Sequence, residues 1–390
     1  MSSKKFETLA IRTQVDQSQQ KEHAVPLYLT SSFTFDSAEE AAQLFQGQVE
    51  GNIYSRFSNP NTDEFIEKLK LLEHCEAGIA TASGMAAVYT AIIAHLQQGD
   101  HVIAANEIFG NSRYIISQLL PKMGVSYDFV PLEDHVAWEA AVQKNTKLVF
   151  IETPSNPTLK TADLSFLGKL CQANDLIYIV DNCFATPYLQ TPARFQADLV
   201  LHSATKYIDG QGRVLGGAIL GKEKFVTPCY DFIRRTGASL SPFNAWVLSK
   251  SLETLAVRMD RHCSNALQLA QFLATHPAIE RVSYPHLASY PQLDLAKAQM
   301  RQGGGLVGCE IKGGLAAGAQ FLNKLKLHSL TANLGDTRSI ATHPASTTHS
   351  KLSSEEQLIV DITPGFIRFS VGLEHIDDII QDVDQALSTK

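Results

Sequence analysis

The sequence predicts an α/β fold built on a mainly parallel sheet, and three observations carry the prediction. Seven short apolar runs follow one another, at 79–82, 101–104, 126–130, 148–151, 176–180, 199–202 and 217–220. Amphipathic stretches of helical period lie between several of them. The 390 residues are enough for two or three domains. Near-continuous apolar runs of this length suit strands covered on both faces. Their alternation with helices argues for crossover connections, hence for parallel pairing.

In chain order, residues 1–55 look irregular, with an extended piece at 24–35 rich in Pro, Tyr, Thr and Ser. A long segment of little periodicity in a folded protein usually serves function or assembly. The runs at 79–220 then form the sheet, and 113–123, 136–143 and 164–174 read as the helices between strands. Ser241-Pro242 resembles an N-cap with proline at the first helical position. The helical pattern it opens runs towards His276-Pro277 and leads into a second domain, which closes with an amphipathic helix after His375. The expected division is an arm at 1–55, a large domain at 56–250 and a smaller α+β domain at 251–390.

Composition narrows the function. The chain is 44% apolar and only 19% charged, below the usual quarter, which points to surface hidden between subunits. Forty acidic against thirty-three basic residues give a net charge of −7 and no basic run, so a nucleic-acid partner is disfavoured. So long a chain buries a sizeable core without disulfides or metals. The six cysteines form no CxxC pair or zinc-like spacing, which fits reduced thiols and a cytoplasmic enzyme. Residues 1–13 hold Lys4, Lys5, Glu7 and Arg12 without an apolar core, so no signal peptide is expected there. Residues 77–99 carry no charge and are long enough to cross a bilayer. Thr81, Ser83, Gly84, Tyr89, Thr90, His95 and two glutamines make them a strand, a turn and a helix instead, and no membrane partner is expected.

In an open parallel sheet, ligands sit at the carboxyl ends of the strands. The first run is followed by Ser83-Gly84-Met85 opening a helix, where backbone amides can approach a phosphate. The fourth is followed by Glu152-Thr153-Pro154-Ser155-Asn156-Pro157, a stiff turn presenting Asn156. The fifth is followed by Asp181-Asn182, and the sixth by Ser203-Ala204-Thr205-Lys206. Singly, such an Asp usually caps a loop and such a Lys is usually solvated. Converging on one cleft, a phosphate cradle, a carboxylate and a lysine are the parts of a pyridoxal-phosphate site. The lysine carries the cofactor as a Schiff base, the carboxylate keeps the ring nitrogen protonated, and Ser203 and Thr205 can donate to phosphate.

These motifs extend over nearly the whole chain. Tyr54-Ser55-Arg56 with Asn59-Pro60, Ser83-Gly84-Met85, Glu152-Thr153-Pro154 with Asn156-Pro157, Asp181 and Ser203 to Lys206 are joined by His343-Pro344-Ala345-Ser346. Arg368 and Ser370-Val371-Gly372-Leu373-Glu374 complete the set. In this the chain resembles the Cys/Met-metabolism family of pyridoxal-phosphate enzymes. The resemblance implies a fold type I, aspartate-aminotransferase-like transferase with a mainly parallel seven-stranded sheet. It implies Lys206 as cofactor-bearing base, Asp181 on the ring nitrogen and Asn156 near the ring hydroxyl. Gly84, Met85, Ser203 and Thr205 would bind phosphate, and Tyr54 and Arg56 would reach the phosphate of a neighbouring subunit. Arg368 would grip the substrate α-carboxylate, a task its bidentate fork suits. Shared sites imply a homodimer, which the family usually pairs into a homotetramer, with the N-terminal arm clasping a neighbour.

Departures from the pattern indicate which branch of the family is meant. Members that cleave thioethers stack a tyrosine on the cofactor ring; in Ile108-Phe109-Gly110 that position is Phe109, which stacks but carries no proton. The segment Thr331-Ala332-Asn333-Leu334-Gly335-Asp336 lacks the glutamate that holds a second amino group, and Asn333 becomes the candidate substrate contact. With 209–217 and 241–246, it is similar to O-succinylhomoserine sulfhydrylases. The reaction implied is γ-replacement on O-succinylhomoserine or O-acetylhomoserine by sulfide, giving homocysteine for methionine biosynthesis. Cystathionine γ-synthase is the alternative, then a cystathionine or methionine γ-lyase. No GxGxxG follows the first strands, which weakens a nicotinamide oxidoreductase. Arg113, Arg234 and Arg235 are candidates for a succinyl carboxylate. His343 and His349 read as structural, with no metal expected.

Overall fold

The computed structural model describes residues 4–350 and 353–388. All seven apolar runs become strands of one sheet: β1 (Ala77–Thr81), β2 (His101–Ala105), β3 (Ser126–Val130), β4 (Thr146–Glu152), β5 (Ile177–Asp181), β6 (Leu199–His202) and β7 (Gly217–Gly221). Their order is β1-β7-β6-β5-β4-β2-β3. β3, β2, β4, β5 and β6 pair in parallel, and β7 alone runs antiparallel, to both β6 and β1. The sheet centre is fully buried: Val149, Phe150, Ile179, Val180, Leu199 and Leu201 are all at 0% exposure. This is why these strands lack the alternation of a half-exposed sheet.

A second sheet takes the order β10-β11-β12-β9-β8. It is formed by β8 (Ile279–Ser283), β9 (Leu306–Ile311), β10 (Ser329–Leu330), β11 (Ile340–Thr342) and β12 (Phe366–Ser370). Helices Leu255–Thr275 and Ile376–Leu387 cover it, burying Leu269, Leu273, Ile379 and Val383 against Ile367 and Val307. Arg368 lies in the middle of β12, paired with Gly308 and Thr342 on its two sides.

Three local expectations are corrected. The helical pattern after Ser241 is two helices, Pro242–Leu252 and Leu255–Thr275. At the break, buried Arg258 donates to the carbonyls of Ser251 and Ile208, at 2.9 and 3.1 Å, and to that of Tyr207. The Ser241 side chain caps nothing. Residues 113–123 are not one amphipathic helix but a short helix (Gly110–Tyr114), a π turn (Ile115–Leu119) and a 3₁₀ turn (Leu120–Met123). Pro121 supplies no N–H there, so the regular ladder cannot continue through it. The N-terminal segment contains helices Phe6–Arg12 and Ala38–Phe45, although 24–35 is irregular as expected. Side chains hold that irregular stretch: Asn61 Oδ1 accepts from Tyr28 N, Asn61 Nδ2 donates to Pro26 O, and Trp246 Nε1 donates to Val25 O.

The charge-free stretch resolves into β1, the Ser83 cap and helix Gly84–Ile93. Among the described residues no helix is long and apolar enough to cross a membrane. β7 closes over this turn at very short range. A Cβ at Gly217 would stand 2.4 Å from both Ser83 O and Thr81 Oγ1. Gly217→Ala is therefore expected to cost about 1–3 kcal/mol by overpacking, read as a melting temperature lowered by several degrees.

Candidate active site

The strand ends converge on a cavity of about 340 Å³. Gly84 and Met85 line it from the turn after β1, Phe109 from the loop after β2, and Glu152 and Asn156 from the end of β4. Asp181 contributes from β5, Ser203, Thr205 and Lys206 from the turn after β6, and Arg368 from β12. The sheet thus brings into one cavity every cofactor-site residue expected from the sequence except Tyr54 and Arg56.

Each side chain is placed by local chemistry. Ser83 accepts from Ala86 N at 3.1 Å and caps helix Gly84–Ile93. This leaves the first-turn amides of Gly84 and Met85 without intrahelical partners, as at any helix start. Gly84 lies so close to Ser203 that an added Cβ would stand 2.4 Å from Ser203 Cβ. Thr205 Oγ1 exchanges hydrogen bonds with the backbone of Gly216, accepting from its N–H at 3.1 Å. Lys206 Nζ donates to Asn333 Oδ1 at 2.8 Å. Arg368 is 2% exposed; its Nη1 donates to Asn156 Oδ1 at 2.9 Å, while its Nε has no hydrogen-bond partner. A buried guanidinium N–H left unpaired is costly unless a ligand meets it.

The electrostatics suit a site waiting for charge. Burial pushes the Lys206 ammonium below its ordinary value, and the nearby Arg368 pushes the same way. Burial raises Asp181 to about 6, against the Cys183 N–H and the charge of His202. Glu152 pairs in register with Asp181 across β4 and β5. Burial, reinforced by Asp181, holds Glu152 well above the carboxylate range.

Glu152 is the cavity residue to which sequence reasoning gave no role. Its Oε2 accepts from Phe109 N at 2.8 Å, fixing the loop that presents the Phe109 ring. The signal was present, since Glu152 ends an apolar run just as Asp181 does. Thr348, from the loop after His343-Pro344, and Cys183 also line the cavity without having been singled out.

Other candidates fall elsewhere. Tyr54 is 41% exposed, and Arg56 lies against the rings of Tyr54 and Phe57 and donates to Arg234 O. Arg234 stands over Phe57 at 4.2 Å, and Arg235 pairs with Asp231 on the surface. Arg113 lies over the Phe129 ring at 3.9 Å and lines a small pocket beside Asn156, not the Lys206 cavity. His343 donates from Nε2 to Pro364 O and accepts at Nδ1 from Ser346 Oγ, both at 2.8 Å. Among the described residues no group of three or more His, Cys, Asp or Glu is placed to hold a metal.

The family described as Cys/Met metabolism PLP-dependent enzyme matches residues 7–388. The chain belongs to that family. It is therefore a pyridoxal-phosphate enzyme, of a group whose relatives catalyse γ-elimination and γ-replacement. The O-succinylhomoserine sulfhydrylase of Pseudomonas aeruginosa is 43% identical over 383 residues, covering 98% of this chain and 95% of the relative. The L-methionine γ-lyase of Porphyromonas gingivalis is 41% identical over 369 residues, covering 94% and 92%. A provisionally assigned O-acetylhomoserine (thiol)-lyase from Campylobacter jejuni has a solved structure with a TM-score of 0.95 at 36% identity, covering 98% of this chain and all of its own. It carries N'-pyridoxyl-lysine-5'-monophosphate. The residues present here fit that group: a half-buried lysine and a carboxylate in one cavity, beside a capped helix start with free amides.

The Asp181 shift gives a sign-checked expectation for the cofactor-free protein. A carboxyl whose value is raised by folding contributes stability that is complete below about pH 4 and lost as pH rises through about 6. Asp181→Asn is thus expected to raise the melting temperature of the apoprotein by a few degrees near about pH 7.5, the gap closing towards about pH 4. Scanning calorimetry of both proteins across that range checks it.

Proposed function

We propose that this enzyme performs γ-replacement on O-succinylhomoserine or O-acetylhomoserine with sulfide, yielding homocysteine. Phe109 carries this reading: the cavity wall beside Lys206 and Asp181 holds a ring without a hydroxyl. A γ-lyase of this family would use a tyrosine hydroxyl there in proton transfer, which Phe109 cannot supply. Asn333, a neutral amide on Lys206 Nζ, stands where a cystathionine-handling site would place a glutamate, which favours the small thiol sulfide over cysteine.

Pyridoxal phosphate, when bound, supplies an electron sink that makes the substrate Cα–H and then Cβ–H acidic. Lys206 holds the cofactor and, once displaced by substrate, moves both protons with Nζ. Asp181 would hold the ring nitrogen and Asn156 the ring hydroxyl, and Gly84, Met85, Ser203 and Thr205 would hold the phosphate. Arg368 takes the substrate α-carboxylate, oriented by its bond to Asn156. The acyl group leaves from Cγ, and sulfide adds there.

The assembly proposed is a homodimer, paired into a homotetramer, in which Tyr54 and Arg56 reach a neighbour's phosphate. Both lie outside their own chain's Lys206 cavity, and Tyr54 is exposed, which supports the reading. The arm at 1–55, large domain at 56–250 and small domain at 251–390 are proposed as its units. A cytoplasmic location is proposed because all six cysteines are free.

Four outcomes are expected. Lys206→Ala loses turnover and borohydride-reducible cofactor attachment together; a variant that keeps its reducible yellow chromophore overturns the assignment. With O-succinylhomoserine, sulfide yields product at least about tenfold faster than cysteine does, and Phe109→Tyr raises release of 2-oxobutanoate from methionine. Faster cystathionine formation would instead assign the enzyme as a cystathionine γ-synthase. Refolding Arg56→Ala with Lys206→Ala in equal amounts restores about a quarter of wild-type activity, since half the dimers are mixed and each has one intact site.

A further inference from the structure

Behind the strand end that carries Asp181 lies a polar pair for which the reaction above has no use. Glu73, the last residue of helix Pro60–Glu73, and His202, the last of β6, are 0% and 1% exposed. They meet at 2.6 Å between Oε1 and Nε2. Asn182 Nδ2 donates to the same Glu73 oxygen at 2.8 Å, and Gln190 Nε2 donates to Asn182 Oδ1. The pair is therefore tied to the residue that follows Asp181. Glu73 Oε2 and His202 Nδ1 find no hydrogen-bond partner.

So much unsatisfied polarity is an expensive filling for a position that a leucine could take. Its placement suggests what it does. β5 and β6 are parallel with Asp181 opposite Leu201, so Asn182 and His202 stand one residue further on, sharing Glu73 on the face away from the cavity. A buried carboxylate whose ionic partner is an imidazole is best neutralised by a proton on that imidazole. A proton there would place one positive charge on the strand next to the one that carries Asp181, where burial otherwise opposes ionisation. The remaining ionisable groups around Asp181 offer no substitute. Glu152 on β4 would add negative charge, Cys183 is driven towards its neutral thiol by burial, and Lys206 is committed to the cofactor. Arg368 is engaged by Asn156. Around Glu73, His74 faces Arg194, and the half-buried Cys75 thiol is held towards its neutral form.

We infer that Glu73 and His202 are positioning residues for the charge on Asp181: Glu73 keeps a proton on His202, and that charge holds Asp181 ionised against the ring nitrogen of pyridoxal phosphate. This rests on Asp181 being the ring-nitrogen partner, as proposed above. No electron transfer or bond change is involved; the pair acts on the equilibrium of one proton.

The test is titration of the full-length apoprotein with pyridoxal 5'-phosphate from about pH 6 to about pH 8.5, bound cofactor being read by absorbance. The proteins compared are wild type, Glu73→Gln, His202→Asn, Asp181→Asn and the Glu73→Gln/Asp181→Asn pair, each checked for folding by its thermal melt. Glu73→Gln and His202→Asn remove the charge from opposite ends, so misfolding of one leaves the other informative. Each is expected to weaken cofactor affinity about tenfold near neutral pH and to move the acid limb of affinity up by about one pH unit. The effect of Glu73→Gln should vanish when Asp181 is already Asn, because the pair then has nothing to act on. Two results overturn the inference. In one, Asp181→Asn weakens binding while Glu73→Gln and His202→Asn leave it unchanged. In the other, the Glu73→Gln loss persists in full beside Asp181→Asn, which marks a purely structural role. If Asp181→Asn itself leaves affinity unchanged, the ring-nitrogen assignment fails instead, and the inference with it.

Discussion

The cost of burying charge governs this molecule. Lys206, Asp181, Glu152 and Arg368 share one cavity of about 340 Å³, and burial drives each towards its neutral form. No apolar core would assemble such a set for stability, since unpaired buried charges cost far more than they return. The fold supports them with a sheet whose centre is wholly buried and with strands that end at one edge. The cavity groups are then held by few and specific bonds: Asn333 on Lys206, Asn156 on Arg368, and the Phe109 amide on Glu152.

Some buried polar groups outside the site are well engaged, while others, among them Thr90 Oγ1, Tyr178 Oη and His328 Nε2, find no hydrogen-bond partner. Arg258 donates to the carbonyls of Tyr207 and Ile208 beside Lys206 and to that of Ser251, and Lys68 sits between Glu64 and Glu253 at 3.0 and 3.2 Å. In the Lys206 cavity Arg368 Nε is left over, and an unpaired guanidinium N–H there is one that a bound ligand could complete.

The sheet was legible because both-face burial writes itself into sequence as uninterrupted apolar runs, and all seven strands overlap their runs. The site was legible because strand ends in a parallel sheet converge, so Ser83, Asn156, Asp181 and Lys206 could be placed together without knowing any distance. Breaks inside helices were less visible. The one between Leu252 and Leu255 is set by Arg258 reaching a strand-end turn some fifty positions earlier in the chain, a tertiary demand with no local signature. Glu152 was overlooked because its task is to hold a backbone amide, which residue type alone does not announce. Tyr54 and Arg56 lie outside the cavity of their own chain, and their role came only from family resemblance.

The antiparallel insertion of β7 between β1 and β6 has a consequence in time. The Ser83 turn is closed by Gly217, and Arg368 arrives from β12, near the end of the chain. A chain emerging in order makes β1 early but cannot close the Ser83 turn until β7 exists, nor complete the cavity until β12 exists. Pairings of such long sequence separation are slow to form. A chain truncated before β12 would thus keep the lysine and the carboxylate of the cavity but lack Arg368, the arginine proposed to orient a substrate.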